Sequence, residues 1–445
     1  MSCPLLYLSI PGLRSTDVPT MPNLQSMAKC GEQVKLVPSF PCVTWPVQCN
    51  LLCGCLPYQH GVVANGFYWR DSHQVEMWTA GNKTIQRPQL WDLLGKLGKS
   101  TAVWFPMLSK GCGADIICMP APIHNPDGSE SLWCYTKPTE LYGELLEAHG
   151  HFPLQHFWGP TAGIESSMWI AESAVTAASR FQPDFFYIYL PHLDYAAQKF
   201  GPESKEAAKA AVQLDHLLGD FITKMRAAYE EDILWLVGSE YTIVPVDHVT
   251  YPNRVLREAG LLKVREDSGE WLDFSASPAW ALVDHQFSHV FVADSESPTL
   301  DASADTIRRV VDLFTGMPGI AEVLAGTDRE KYQLHHERSG EVILISEPHS
   351  WQAYYYWLDD SCAPPFARTV DIHQKPGYDP VELHFDRATC GIPLDATLVK
   401  GSHGAPATAA FQQGTLIASQ EGVLEAESLR DYEVTNLILK QFAAN

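Results

Sequence analysis

Short apolar runs alternate with helix-length amphipathic stretches through the first half of this chain. Residues 5–10 read as a buried strand, 21–30 as an amphipathic helix, 34–38 as a strand, 46–55 and 90–97 as helices, and 101–104 as another strand. The same theme follows more strongly in a long helix at 164–180, a continuous apolar strand at 185–190, a helix at 204–228 and a buried strand at 233–237. This alternation predicts an α/β fold, a mostly parallel central sheet with helices on both faces. Ligands of an open α/β sheet bind beyond the carboxyl ends of its strands, so the polar segments at 191–198 and 239–241 become site candidates by topology.

From about residue 245 the pattern changes. Short strands at 280–283 and 289–293, a helix at 304–315 and a strand at 319–323 predict a small inserted α+β cap over 245–337, with the core formed by 1–244 and 338–445. The chain then returns with an apolar run at 341–346, passes an aromatic-rich stretch at 351–357 that suits packing better than base stacking, and ends in a helix at 429–442. Internal repeats and low-complexity tracts are absent from the sequence.

Composition adds limits. With 46% hydrophobic and 19% charged residues, the 445-residue chain can bury a large core. Its formal charge of -22, with no Lys/Arg cluster, excludes a nucleic-acid polymer as partner. A small anion is still accessible to such a protein where metal ions or local N–H groups reverse the potential. The first residues lack a basic leader, and no apolar run approaches the roughly 20 residues of a membrane helix, so no membrane partner and a cytoplasmic setting are expected. Eleven cysteines is an odd number, and Cys49, Cys53 and Cys55 crowd one predicted helix, where they read as small apolar groups rather than bridges. Oligomeric state is left open.

The candidate chemistry centres on Phe40-Pro41-Cys42-Val43-Thr44-Trp45-Pro46. Proline suits the first turn of a helix, so Pro46 puts Thr44 at or just before a helix N-terminus, where free N–H groups and the helix dipole favour an anion. Thr44 is there either as a nucleophile or as an ordinary N-cap. The string continues through Leu56-Pro57-Tyr58-Gln59-His60-Gly61-Val62-Val63-Ala64-Asn65. Together these segments resemble the nucleophile region of the alkaline phosphatase superfamily, nearest its nucleotide pyrophosphatase/phosphodiesterase branch and with phosphonoacetate hydrolase alongside. The resemblance implies Thr44 as attacking group and metal ligand, and Asn65 as a donor to a phosphoryl oxygen; His60 reads as holding its turn.

The resemblance also implies two divalent ions, zinc foremost with magnesium or manganese as alternatives. Pro191-His192-Leu193-Asp194 places Asp194 on a ligand position, but the histidine expected four residues on is Gln198. Gly401-Ser402-His403-Gly404 matches a distant ligand motif at His403. Pro11 stands where the family has an aspartate, and Ser239-Glu240-Tyr241 replaces an Asp-His pair, leaving Glu240 as an oxygen donor and Tyr241 in place of imidazole. The remaining oxygens suit a harder or more weakly held ion than a full zinc pair. His192, Asp17 and His285, the last in an Asp284-His285 pair, are further candidates to fill the gaps. The segment at 371–379 is distinctive and has no assigned chemistry. The expected function is metal-dependent hydrolysis of a phosphodiester or pyrophosphate bond in a small phosphorylated molecule. The alternatives are a rewired member that binds an anionic metabolite without hydrolysis, and a phosphonate hydrolase.

Overall fold

Leu5–Ile10, buried along its whole length, is the middle strand of a nine-stranded sheet in the computed structural model, which describes residues 3–124, 130–293 and 301–443. Across the sheet the strands run Ser428–Arg430, Glu32–Val37, Gly414–Ala418, Leu234–Ser239, Leu5–Ile10, Phe185–Tyr189, Thr101–Trp104, Ile116–Pro120 and Cys134–Lys137. Leu5–Ile10 pairs in parallel with both Phe185–Tyr189 and Leu234–Ser239, while Gly414–Ala418 is antiparallel to its two neighbours. A strand with every residue buried needs cover on both faces, and that explains why these strands are continuous apolar runs. One group of helices, Pro22–Cys30, Ile164–Phe181 and Lys205–Tyr229, packs together; a second group comprises Thr44–Cys53, Leu90–Lys96 and Val434–Ala443. The expected α/β architecture is present, and the predicted strand at 101–104 is reproduced residue for residue.

The parallel strands all deliver their carboxyl ends to one rim. Leu5–Ile10 leads to Pro11, Phe185–Tyr189 to the helix His192–Phe200, and Leu234–Ser239 to Glu240 and Tyr241. Glu32–Val37 leads through Phe40 and Cys42 to the helix that begins at Thr44.

A second apolar cluster lies in residues 246–399, joined by Tyr68 and Met77 from the hairpin Gly66–Met77. Its antiparallel sheet runs Ala279–Asp284, Phe287–Val292, Val342–Ser346 and Ile320–Ala325, with the helix Asp301–Phe314 against it. Val244–Pro245 pairs with Gly401–Ser402 where the chain leaves and re-enters. The run read as a return to the core at 341–346 is a strand, but it pairs inside this second sheet. Residues 338–399 therefore pack with the segment expected at 245–337, and the large sheet resumes at Gly414–Ala418. A five-residue buried strand looks the same in either sheet, so periodicity could not place it. Among the described residues no helix is long and apolar enough to cross a membrane, and all eleven cysteines are free thiols.

Candidate active site

Thr44 is the first residue of the helix Thr44–Cys53, and Val43, in extended backbone, is the N-cap. The threonine hydroxyl makes no capping bond; it lies 3.2 Å from the Tyr241 hydroxyl instead. Capping is supplied from elsewhere, because the Trp45 N–H donates to Asn65 Oδ1 at 2.9 Å. The preceding loop is fixed by Asp431, which accepts from the Ser39 N–H at 3.0 Å, the Ser39 hydroxyl at 2.6 Å and Asn50 Nδ2 at 2.8 Å. Thr44 is thus freed from helix duty and held against a side chain from another strand end.

From Thr44 a ring of contacts closes on itself. The Tyr241 hydroxyl donates to Asp194 Oδ1 at 3.3 Å, Gln198 Nε2 donates to Asp194 Oδ2 at 2.6 Å, and the Tyr378 hydroxyl donates to Gln198 Oε1 at 3.0 Å. The Tyr241 ring stacks on His403 with centroids 3.6 Å apart, His403 touches His285 at 3.9 Å, and His285 stacks on Tyr378 at 3.7 Å. Asp284 completes the link to Asn65, accepting its N–H at 2.8 Å and its Nδ2 at 3.0 Å, and also accepts from His285 Nδ1 at 2.6 Å. Asn65 keeps one amide hydrogen beyond these contacts.

The second sheet supplies half of this ring through a tight hairpin. Asp284 ends one strand, Phe287 begins the next, and His285 between them takes a left-handed backbone with φ of 61°, a conformation uncommon for a residue with a side chain. Gly404 makes this approach feasible. Its φ is 114°, and a Cβ there would meet the Gln286 nitrogen at 3.2 Å, His285 Cβ at 3.3 Å and Val43 Cγ1 at 3.3 Å.

Thr44, Asp194 and His403, expected to converge, do face one cluster, together with Asn65, Gln198 and His285. Tyr241 and Tyr378 join them, and neither was assigned a positive role from sequence. The remaining expected metal-holding residues go elsewhere. Glu240 turns to the Ser9 hydroxyl at 2.6 Å and Gln48 Nε2 at 2.8 Å, beneath the rim. His192 lines a cavity of about 350 Å³ that has Gly163, Lys199 and Gln213 in its wall, but not Thr44, Asp194 or His403. Asp17 is held by Arg14 at 2.7 Å. Among the described residues no three His, Cys, Asp or Glu side chains form a group that could hold a metal.

The donors present do not fit a two-ion centre. Pro11 offers no side-chain donor, Gln198 spends both ends of its amide on Asp194 and Tyr378, and the phenol of Tyr241 fills the space between Thr44 and Asp194. The Nδ1–H of His403 donates to the Cys42 carbonyl at 2.8 Å, leaving a lone pair on Nε2 without a hydrogen-bond partner. Asp284 is spent on Asn65 and His285, and the His285 Nδ1 on Asp284, so Asp194 and the His403 Nε2, with a phenol between, fall short of the three or four donors a zinc site uses.

Burial governs the charges. It raises the Asp194 carboxyl to about 7 and Asp284 to about 6, and holds His403 and His285 well below the ordinary imidazole value, so both rings are neutral. Glu240 is raised by burial to about 8 from an ordinary 4.5. The native protein then keeps a proton that the unfolded chain has lost between those values. The resulting stability is full below about pH 4.5 and disappears as pH rises through 8. Asp194 acts in the same direction. We expect the melting temperature to fall from pH 6 to pH 9 and to fall less steeply in Glu240→Gln; equal slopes for the two proteins would show that Glu240 is not the buried proton carrier.

A type I phosphodiesterase / nucleotide pyrophosphatase family model matches residues 5–379. An uncharacterized pyrophosphatase/phosphodiesterase of Schizosaccharomyces pombe is 26% identical over 210 residues, 46% of this chain and 37% of that protein. Ectonucleotide pyrophosphatase/phosphodiesterase family member 7 of Rattus norvegicus is 25% identical over 288 residues, 64% of this chain and 55% of that protein. The chain thus spans about a third to a half of the lengths of these curated relatives. In fold it is similar to phosphonoacetate hydrolase from Sinorhizobium meliloti 1021 in complex with phosphonoformate, with a TM-score of 0.62 at 15% identity over 99% of this chain and 96% of that one. An inactive variant of murine ectonucleotide pyrophosphatase/phosphodiesterase 5 in complex with AMP also gives 0.62, at 13% identity over 99% and 95% of the two chains.

Proposed function

Because the chain belongs to the type I phosphodiesterase / nucleotide pyrophosphatase family, we propose that it hydrolyses a phosphodiester or pyrophosphate bond in a small anionic phosphorylated molecule, with Thr44 as the attacking group. The observation that carries this reading is the Thr44 hydroxyl, relieved of any capping bond at a helix N-terminus and turned toward Tyr241 and Asp194. Attack by Thr44 on phosphorus would form a phosphoryl-threonine intermediate that water then cleaves. The positive end of the helix dipole and the remaining Asn65 amide hydrogen are placed to offset charge growing on the phosphoryl oxygens. Two of the similar solved proteins hold AMP and phosphonoformate, small anions of the size proposed here.

Acid quenching during turnover of bis-p-nitrophenyl phosphate, followed by peptide mass spectrometry, tests this directly. The expected result is a p-nitrophenyl phosphoryl group on the peptide containing Thr44. Turnover with no modified peptide would remove the covalent route.

A second reading, a rewired member that binds an anionic metabolite without hydrolysing it, is favoured by one observation: Thr44, Asp194 and His403 are no more than 7% exposed. Saturable binding of AMP with no release of p-nitrophenol from the ester would decide for it.

A further inference from the structure

The family generally depends on divalent ions, and the disagreement between that habit and the donors of this chain has a specific structural centre. We propose that Tyr241 takes the place of a cation as the partner of the Thr44 hydroxyl, so that this site works without a bound divalent ion. The inference deepens the hydrolase reading and rests on Thr44 as its attacking group. Three observations support it. The Tyr241 hydroxyl touches Thr44 Oγ1 at 3.2 Å and Asp194 Oδ1 at 3.3 Å, joining hydroxyl to carboxylate through one phenol. Its ring is clamped flat on His403, 3.6 Å away and within 6° of parallel, so the phenol cannot swing aside without unstacking. Gln198, where an imidazole would be needed, instead bridges Asp194 to Tyr378 and keeps the carboxylate turned toward the phenol.

The chemistry balances without an ion. As Thr44 Oγ bonds to phosphorus, its proton passes to the Tyr241 oxygen and the Tyr241 proton passes to Asp194. The bond from phosphorus to the leaving oxygen breaks, and that oxygen departs with the electron pair and takes a proton from solvent. In the second half, water attacks phosphorus and releases one proton to solvent. The phosphorus–Thr44 bond breaks, and Thr44 recovers its proton from Asp194 by way of Tyr241. Relayed proton transfer of this kind contributes about 10²–10⁴-fold to rate.

Metal analysis of the purified chain, paired with thermal melting in added zinc or manganese and with Tyr241→Phe, tests the proposal. The native protein should carry well under one equivalent of either ion, melt at the same temperature with and without them, and keep its turnover in a chelator. Tyr241→Phe keeps the stacked ring and should lose about 10²–10⁴-fold in kcat while melting only a few degrees lower, because Asp194 keeps Gln198 as a donor. The double variant Gln198→His with Tyr241→His restores two imidazoles beside Asp194 and His403 and should gain ion binding and a raised melting temperature in zinc. One or two equivalents of ion in the native protein, diminished by Asp194→Ala, would overturn the proposal, as would full turnover in Tyr241→Phe. Metal content and melting need no turnover, so they judge Tyr241 even where loss of the Thr44-modified peptide has already defeated the hydrolase reading.

Discussion

Thr44→Ala should abolish turnover of a phosphodiester, by at least about 10⁴-fold, while leaving the unfolding midpoint almost unchanged. The two halves of this expectation come from the same geometry. Val43 occupies the N-cap position without a side-chain bond and Asn65 accepts from the Trp45 N–H, so the threonine hydroxyl has no role in helix capping and its removal costs about 1 kcal/mol at most. Its bond to Tyr241 is likewise dispensable for folding, because the phenol retains Asp194 as acceptor. What alanine removes is the attacking oxygen. Thr44→Ser keeps that oxygen and should retain turnover to within about tenfold, the cost of a less restricted rotamer. Steady-state rates for the three proteins, set beside their denaturant midpoints, check the claim. A rate in Thr44→Ala equal to that of the native protein would place the attacking group elsewhere.

The same residue illustrates how far the sequence could be read. Thr44, Asn65, Asp194 and His403 were singled out because their segments resemble the superfamily's motifs, with a local feature beside each: Pro46 after Thr44, a Pro/His/Gly turn before Asn65, a strand end before Asp194, glycines around His403. Their partners were not visible in the same way. Tyr241 meets Thr44 across 197 positions, Tyr378 meets Gln198 across 180, and Asp284 meets Asn65 across 219. No periodicity connects residues so far apart, and a tyrosine at an imidazole position looks like a loss until its hydroxyl is seen between the other two. Glu240 failed as a ligand for a related reason. The alternation of a strand end fixes which face a side chain takes, and Ser9 and Gln48 below the rim were better partners for it than the cluster above.

The segment at 371–379, distinctive but without assigned chemistry, turns out to hold the far side of the site, and Lys375→Met should destabilise the protein by about 3–5 kcal/mol. Lys375 is 1% exposed, with Nζ 2.8 Å from Asp379, 2.6 Å from Glu382 and 3.0 Å from the Thr369 carbonyl. Burial alone would lower its pKa, but the two carboxylates outweigh that and hold it charged. Removing the ammonium leaves Asp379 and Glu382 facing each other in the interior with nothing to offset them. Glu382 also accepts from the Trp158 indole and from the Asp371 N–H at 2.9 Å, so displacement of one carboxylate disturbs the whole turn. Tyr378 lies within that turn, and its hydroxyl on Gln198 and its ring on His285 are the contacts through which damage reaches Asp194 and His403. Turnover should therefore fall together with stability, unlike in Thr44→Ala. The triple variant Lys375→Met, Asp379→Asn, Glu382→Gln removes all three charges at once and should recover much of the lost stability, because the main cost lies in an uncompensated buried charge rather than in a missing attraction. Urea unfolding of the single and triple variants separates the two. If the triple variant is no more stable than the single one, the ion cluster contributes more than mutual neutralisation, and its geometry itself holds Tyr378 in place.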